Sequence, residues 1–298
     1  MQSRKRAKPG REMKKSINLW AFPYPAQWTL KKCLQISKDA GFEGIELNID
    51  LEGELSVRST PAEFAAVRRM AERARMEISG ICSFLFWTYS MTSNDAAQRA
   101  QGIAMAESMI AAAGHLGTQN VLVVPGAAYV PWVETAEPVR PDICLDRARQ
   151  ALCRLIPKAE EAGVFLNIEN IFMNGFLFSP QEIREFVDSF GSGNVRVHFD
   201  TGNIMEYQFP EHWIPILGGR IQNVHLKEWD RRSRKFGLHA FRTLLDGTTN
   251  WPAVIEELDR VGYRGYLTFE YFHPFQHYPE ALIYQTSDAM DRILGRKK

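Results

Sequence analysis

The sequence predicts an α/β protein in which strand–helix units close into a (β/α)8 barrel. Three observations carry that expectation. Short apolar runs alternate with longer helical patterns about eight times, and helix stop signals stand between them. Neither G-x-G-x-x-G nor G-x-x-x-x-G-K-[ST], the phosphate loops of an open doubly wound sheet, occurs. Strand–helix alternation requires right-handed crossovers and a parallel sheet, and eight units are the number that closes.

The candidate strands, in order, are 17–22 (INLWAF), 44–49 (GIELNI), 77–83 (EISGICS), 120–125 (NVLVVP), 164–169 (VFLNIE), 195–200 (VRVHFD), 221–227 (IQNVHLK) and 265–270 (GYLTFE). Helices fill the gaps. Thr60-Pro61-Ala62-Glu63 and Ser179-Pro180-Gln181-Glu182 each offer an N-cap, a proline at the first helical position and a Glu three residues after the cap. Gly41, Gly114, Gly163, Gly191, Gly218 and Gly262 fall where helices need to stop. The proline-containing segment 127–141 reads as a long loop after the fourth strand, covering the barrel mouth.

Composition fixes the class. With 45% hydrophobic and 24% charged residues, the chain is an ordinary globular one, neither disordered nor a disulfide scaffold. Lys and Arg total 36 against 35 Asp and Glu, but seven of the basic residues lie in the first sixteen positions beside a single Glu. Residues 1–16 therefore read as a basic, disordered extension, and 17–298 as a single barrel domain with an acidic surplus. The extension has no apolar h-region. The most apolar stretch, 121–133, is interrupted by Pro125, Gly126 and Pro131, so no membrane span is expected. Cys33, Cys82, Cys144 and Cys153 form no C-x-x-C pair and read as reduced, buried thiols of a cytoplasmic protein.

Strand parity then points to chemistry. Alternate strand residues face opposite sides, and the apolar set must face the helix ring. The polar set therefore lies inside: Glu46 and Asn48, Asn167 and Glu169, Arg196, His198 and Asp200, Asn223, His225 and Lys227, Thr268 and Glu270. Barrel interiors are normally branched apolar layers, and a buried charge costs several kcal/mol unless it is paired or bound to metal. Glu169, Asp200, His225 and Glu270 are the last inward residues of four neighbouring strands, at the C-terminal mouth where barrel enzymes keep their chemistry. Three carboxylates and an imidazole repel or misfit unless a cation sits among them. One divalent metal ion is expected, Mn2+ first, with Mg2+, Co2+ or Zn2+ as alternatives. Arg196 and His198 with Glu46 lie deeper and read as a structural polar network.

These residues carry a resemblance. Asn167-Ile168-Glu169-Asn170, His198-Phe199-Asp200-Thr201-Gly202-Asn203, Asn223-Val224-His225-Leu226-Lys227-Glu228 and Thr268-Phe269-Glu270, with the shorter Gly41-Phe42-Glu43-Gly44-Ile45-Glu46-Leu47, resemble the xylose isomerase-like TIM-barrel superfamily. The likeness is to its sugar phosphate isomerase/epimerase group, which includes D-tagatose 3-epimerase-like enzymes, and runs from about Ile17 to the last helix. It implies that Glu169, Asp200, His225 and Glu270 hold one divalent metal, and that Arg231, six residues after His225, binds substrate. Two positions depart from the ketose 3-epimerases: Asn203 replaces a substrate-contacting His, and Gly175 replaces a Glu. The Asp-Thr-Gly-Asn form with His-Leu-Lys is closer to branches that include phosphorylated-sugar epimerases, which leaves the sugar open.

The expected function is a metal-dependent isomerase or epimerase of a sugar or sugar phosphate. Glu169 and Glu270 would be the acid/base pair, acting through a metal-stabilised enediolate. Lys227, Arg231, Asn203, Trp20, Trp87 and Phe272 would bind substrate, with Phe22, Phe172, Trp229 and His273 as further material near the mouth. A keto-inositol or keto-sugar dehydratase would use the same site. An endonuclease IV-like nuclease needs extra His ligands, and the third and fourth strands end in Cys82-Ser83-Phe84 and Val124-Pro125-Gly126; the acidic body also argues against nucleic acid. A small-molecule sugar partner is expected, no nucleic acid and no membrane, and a homo-oligomer is left open.

Overall fold

The computed structural model describes residues 12–171, 173–233 and 240–297. Eight parallel strands close into a barrel: β1 (Lys14–Asn18), β2 (Gly44–Asn48), β3 (Glu77–Cys82), β4 (Asn120–Val123), β5 (Phe165–Glu169), β6 (Val195–Asp200), β7 (Ile221–Leu226) and β10 (Tyr266–Phe269). A two-stranded antiparallel ribbon, β8 (Glu228–Trp229) with β9 (Phe241–Arg242), stands above β7. The helices are α1 (Leu30–Ala40), α2 (Pro61–Arg73), the short α3 (Leu85–Thr88), α4 (Ala96–Leu116), α5 (Pro141–Ala162), α6 (Pro180–Asp188), α7 (Pro210–Leu217), α8 (Trp251–Arg260) and α9 (Pro279–Ile293).

Both strand parities are buried, for different reasons. Leu166, Ile168, Val197, Phe199, Val224, Leu226, Leu267 and Phe269 pack outward under the helices, while Asn167, His198, Asn223, His225 and Thr268 are enclosed inside. Closure makes the interior as inaccessible as the helix layer, so the polar set needs partners within the barrel. Gly80 makes room for one of them: a Cβ there would stand 3.2 Å from Glu46 Oε1 and 3.3 Å from the Asn120 side chain.

The local signals hold at most ends. Thr60 and Ser179 form reciprocal capping boxes with Glu63 and Glu182, each followed by Pro at the first helical position. Gly41 and Gly163 end α1 and α5 in the left-handed conformation. Gly114 does not stop α4; it lies within the helix, and Gly117, at φ 77°, is the cap. The loop after β4 carries Trp132 to the barrel mouth and is tied down by backbone bonds from Ala128 N to Asn174 O (2.6 Å) and Val139 N to Ala128 O (2.7 Å). Cys33, Cys82 and Cys144 are buried free thiols, but Cys153 is exposed on α5, contrary to expectation.

The first strand is the main correction. It begins at Lys14, not at residue 17, so the basic extension does not run to residue 16; 1–11 lie outside the described residues. Past Asn18 the chain turns into a 3-10 helix, Leu19–Ala21, because the Asn18 side chain accepts from Trp20 N. Two of the lysines that read as tail are paired in place. Lys14 pairs with Glu77 at 2.6 Å, and Lys15, 3% exposed, pairs with Asp291 of α9 at 2.7 Å and donates to Ser287 Oγ at 2.8 Å. Among the described residues, no helix is long and apolar enough to cross a membrane. Deleting residues 2–16 should remove three of the five residues of β1 with the buried Met13, Lys15 and Ser16, and so abolish soluble expression or lower the melting temperature by many degrees. A truncated protein that melts like the full chain would show that β1 is dispensable.

Candidate metal centre

The register of the barrel sets four ligand-bearing residues at one height. Glu169 of β5 aligns with His198 of β6, Asp200 of β6 with His225 of β7, and His225 again with Thr268 of β10, one residue short of Phe269 and two short of Glu270. Glu169, Asp200, His225 and Glu270 each present one ligand atom, all within 4.8 Å of one another and all buried. His225 Nδ1 faces Glu169 Oε1 at 3.4 Å, Glu270 Oε1 at 3.4 Å and Asp200 Oδ2 at 3.9 Å. Among the described residues it has no hydrogen-bond partner there. A buried nitrogen aimed into three carboxylate oxygens fits a divalent cation of intermediate hardness.

Asp200 is held from several sides. Its Oδ1 accepts from the backbone of Gly202 (2.7 Å) and Asn203 (2.8 Å), leaving Oδ2 toward the cluster. Its own backbone is clasped by the Asn170 side chain, which accepts from Asp200 N at 2.9 Å and donates to Asp200 O at 2.8 Å. Thr201 prolongs the β6–β7 pairing by exchanging bonds with the Lys227 backbone at 3.0 Å each way. Gly202 is needed for that approach, since a Cβ would lie 2.8 Å from Lys227 Cβ.

Lys227 is a fifth member of the site. Its Nζ, buried, pairs with Asp200 Oδ2 at 2.9 Å and with Glu270 Oε2, bonds Asn203 Oδ1 at 3.2 Å, and lies over the rings of Phe241 and Phe272. Burial opposes a charge on Lys227, but Asp200, Glu270 and Glu169 outweigh it and hold the ammonium above the ordinary lysine range. Burial, reinforced by Glu270 and Asp200 and partly opposed by His225, pushes the Glu169 carboxyl up to about 7. For His225, burial again disfavours charge, yet Glu46, Glu270 and Glu169 hold its pKa well above the usual histidine value.

Beneath the cluster, Glu46 anchors the imidazole from the far side. Its Oε2 meets His225 Nε2 at 2.6 Å and accepts from Asn18 Nδ2 at 2.7 Å. With Nε2–H donated to Glu46, Nδ1 is the atom left to ligate, the carboxylate–histidine arrangement that fixes tautomer and ring orientation. His198 packs edge-on to His225, ring centroids 4.0 Å apart, and burial with neighbouring His225 and Lys227 holds it well below the usual pKa, hence neutral. Arg196 does not join this network: it is only half-buried and donates to the carbonyls of Gly193 and Gly219 at the opposite end of the strand.

Glu169, Glu270, Lys227 and Asn203 form the floor of a cleft of about 970 Å³, and Trp20, Phe22, Trp87 and Phe272 line it. Phe172 lies outside the described residues. The structure does not bring Arg231 there. Its guanidinium is taken by the carbonyls of Met205 (2.8 Å) and Gln208 and stacks 3.8 Å above Phe209. Trp229 is buried with Met205 and Phe241, and His273 is exposed beside Tyr271. Sequence reasoning missed Glu228. Buried, it accepts from Trp229 N, Leu245 N, Thr249 N and Oγ1, and Trp251 Nε1, organising the segment after β7. Its signal was its place opposite Lys227 in strand alternation.

Two outcomes follow from this geometry. Glu46→Gln should weaken Mn2+ binding about 10- to 100-fold in calorimetry, the usual effect of losing such an outer partner; unchanged affinity would show that Glu46 does not orient His225. Coordination also requires Glu169 and His225 without the protons they hold tightly in the metal-free fold, so affinity should rise with pH. Displacing the Glu169 proton should raise the apparent constant by up to about tenfold per pH unit below pH 7, with the raised His225 adding to the slope. A flat profile in buffered Mn2+ titrations would contradict the raised pKa values.

Comparison with known proteins agrees with this architecture. A family model described as Xylose isomerase-like TIM barrel matches residues 34–292. An L-ribulose 3-epimerase of Mesorhizobium japonicum is 25% identical over 251 residues, which cover 83% of this chain and 77% of that protein. A solved D-psicose 3-epimerase, in the presence of D-fructose, superposes with a TM-score of 0.76 at 20% identity, covering 95% of this chain and 100% of that one. A solved L-ribulose 3-epimerase gives 0.76 at 21% identity, with 95% of each chain covered. At such identity the two structures speak to the fold.

Proposed function

The chain belongs to the xylose isomerase-like TIM barrel family, and on that premise we propose that it is a metal-dependent carbohydrate epimerase or isomerase. The observation that carries the reading is the pairing of Glu169 and Glu270. Both line the cleft floor, each with one oxygen 3.4 Å from His225 Nδ1, Glu169 ending β5 and Glu270 directly following β10, to either side of β6 and β7. The similarity to ketose 3-epimerases supports a small ketose as substrate.

Glu169, Asp200, His225 and Glu270 would hold the ion, for which we favour Mn2+. When bound it supplies Lewis-acid polarisation of a carbonyl and the adjacent hydroxyl. One of Glu169 and Glu270 removes the proton from the carbon that bears that hydroxyl, alpha to the carbonyl. The other delivers a proton to the opposite face, which inverts that carbon; return to the neighbouring carbon would interconvert aldose and ketose. Lys227, its ammonium fixed between Asp200 and Glu270, is placed to donate a hydrogen bond to an oxygen that gains charge, and Asn203 orients the lysine. Tryptophan and phenylalanine faces above the floor would limit water around the reacting carbons once a substrate covers them. Free buried thiols at Cys33, Cys82 and Cys144 suit a reducing compartment, and our reading is a cytoplasmic enzyme.

The test is deuterium exchange into ketoses in D2O with Mn2+ present. Glu169→Gln and Glu270→Gln should each retain some metal and lose turnover by about 10²- to 10⁴-fold, the usual worth of an acid/base group. The two should differ in partial reactions, one still exchanging the substrate proton without forming epimer. Asp200→Asn should lose exchange in proportion to lost metal. Wild-type turnover by Glu270→Gln with full metal would remove the two-carboxylate mechanism.

A further inference from the structure

Above its floor the cleft changes character. Trp20, Phe84 and Phe272 form one contiguous aromatic surface, with centroids 4.4, 5.1 and 5.5 Å apart, and Trp87 meets Trp132 edge-on at 5.5 Å. All five rings line the cleft. Phe84 and Trp132 remain 46% and 52% exposed, a large apolar surface left open beside a polar floor. Exposed apolar area gathered in this way marks ligand contact. The volume of about 970 Å³ is at the upper end of the ~300–1,000 Å³ of sites for drug-sized ligands, more than a lone ketose on the carboxylate floor requires. Among the described lining residues the one cation is Lys227, already paired with Asp200 and Glu270, so what the upper cleft offers is aromatic face.

Resting on the isomerase reading, we propose that the substrate is a ketose bearing a further ring, glycosyl or aryl, on an oxygen remote from its carbonyl. The reacting carbons lie on the floor formed by Glu169 and Glu270. The added ring lies against the aromatic wall, presenting a C–H or π face to Trp132 and its neighbours. Both sources of the ring share that chemistry, an uncharged body with an apolar face.

The probes are D-fructose, D-fructose 6-phosphate, isomaltulose and 6-O-benzyl-D-fructose, offered to the Mn2+-loaded protein. Calorimetry reads binding, and deuterium incorporation from D2O reads exchange. At least one ring-bearing ketose should bind about tenfold or more tightly than D-fructose, as stacking of one or two rings allows, and should exchange with correspondingly higher kcat/KM. Preference for isomaltulose identifies a glycosyl ring, and preference for the benzyl ether an aryl one. In Trp132→Ala, a change at an exposed position, the ratio between the ring-bearing ketose and D-fructose should fall to about one. Equal affinity for all four, tighter binding of the 6-phosphate, or a ratio unchanged by Trp132→Ala would overturn the proposal. Tight ring-dependent binding without exchange by any ketose would support the ring site and sink the isomerase reading. Exchange that is best with D-fructose would do the reverse.

Discussion

The constraint on which the rest depends is concentrated negative charge in a place water scarcely reaches. Glu46, Glu169, Asp200 and Glu270 all point into the closed barrel or its mouth, each 5% exposed or less. Unpaired buried carboxylates would be destabilising by several kcal/mol apiece, so the fold surrounds them with cations, protons and oriented N–H groups. Lys227 pairs with both Asp200 and Glu270, His225 bridges Glu46 to the other three, and backbone amides cap Asp200. Glu169 and His225 both hold their protons unusually firmly. A divalent ion entering the cluster would therefore exchange for up to two protons, leaving the local charge almost as it was.

The same constraint explains why the interior is polar far below the mouth. Glu46 needs Asn18 and His225, and His225 in turn packs against a neutral His198. Each layer orients the one above. Small residues permit it: Gly80 opens space for the Glu46 carboxylate, and Gly202 lets the chain after β6 run close to the Lys227 stem. The helix ring supplies the cohesion that this interior cannot, through apolar residues on the alternate parity of every strand.

Much of this was legible in the sequence because strand alternation is a strict code. Val195–Asp200 and the ends of the neighbouring strands reveal which side chains face inward without knowledge of any contact. What was not legible depended on partners far along the chain. Lys14 and Lys15 read as a solvated tail because Glu77 and Asp291 lie 63 and 276 positions away, and nothing local announces the pairing. Arg231 sits at a suggestive spacing from His225, but carbonyls of the segment after β6 claim its guanidinium. Arg196 has the inward parity yet lies near the start of β6, where its length carries the charge out to the rim. Gly114 failed as a stop signal because glycine permits a left-handed cap without demanding one, and the helix runs on to Gly117.

Asp200 has a further implication for denticity. With Oδ1 committed to two backbone amides, this carboxylate can offer a metal only Oδ2 and cannot swing to chelate with both oxygens. One atom each from Glu169, Asp200, His225 and Glu270 makes four protein donors. A divalent ion held by these four donors would still accept oxygen ligands from outside the protein. Two neighbouring oxygens are what an α-hydroxy carbonyl brings. The backbone turn at Gly202 and Asn203, by rationing one aspartate, would thus leave more of a bound ion's ligand set to come from outside the protein.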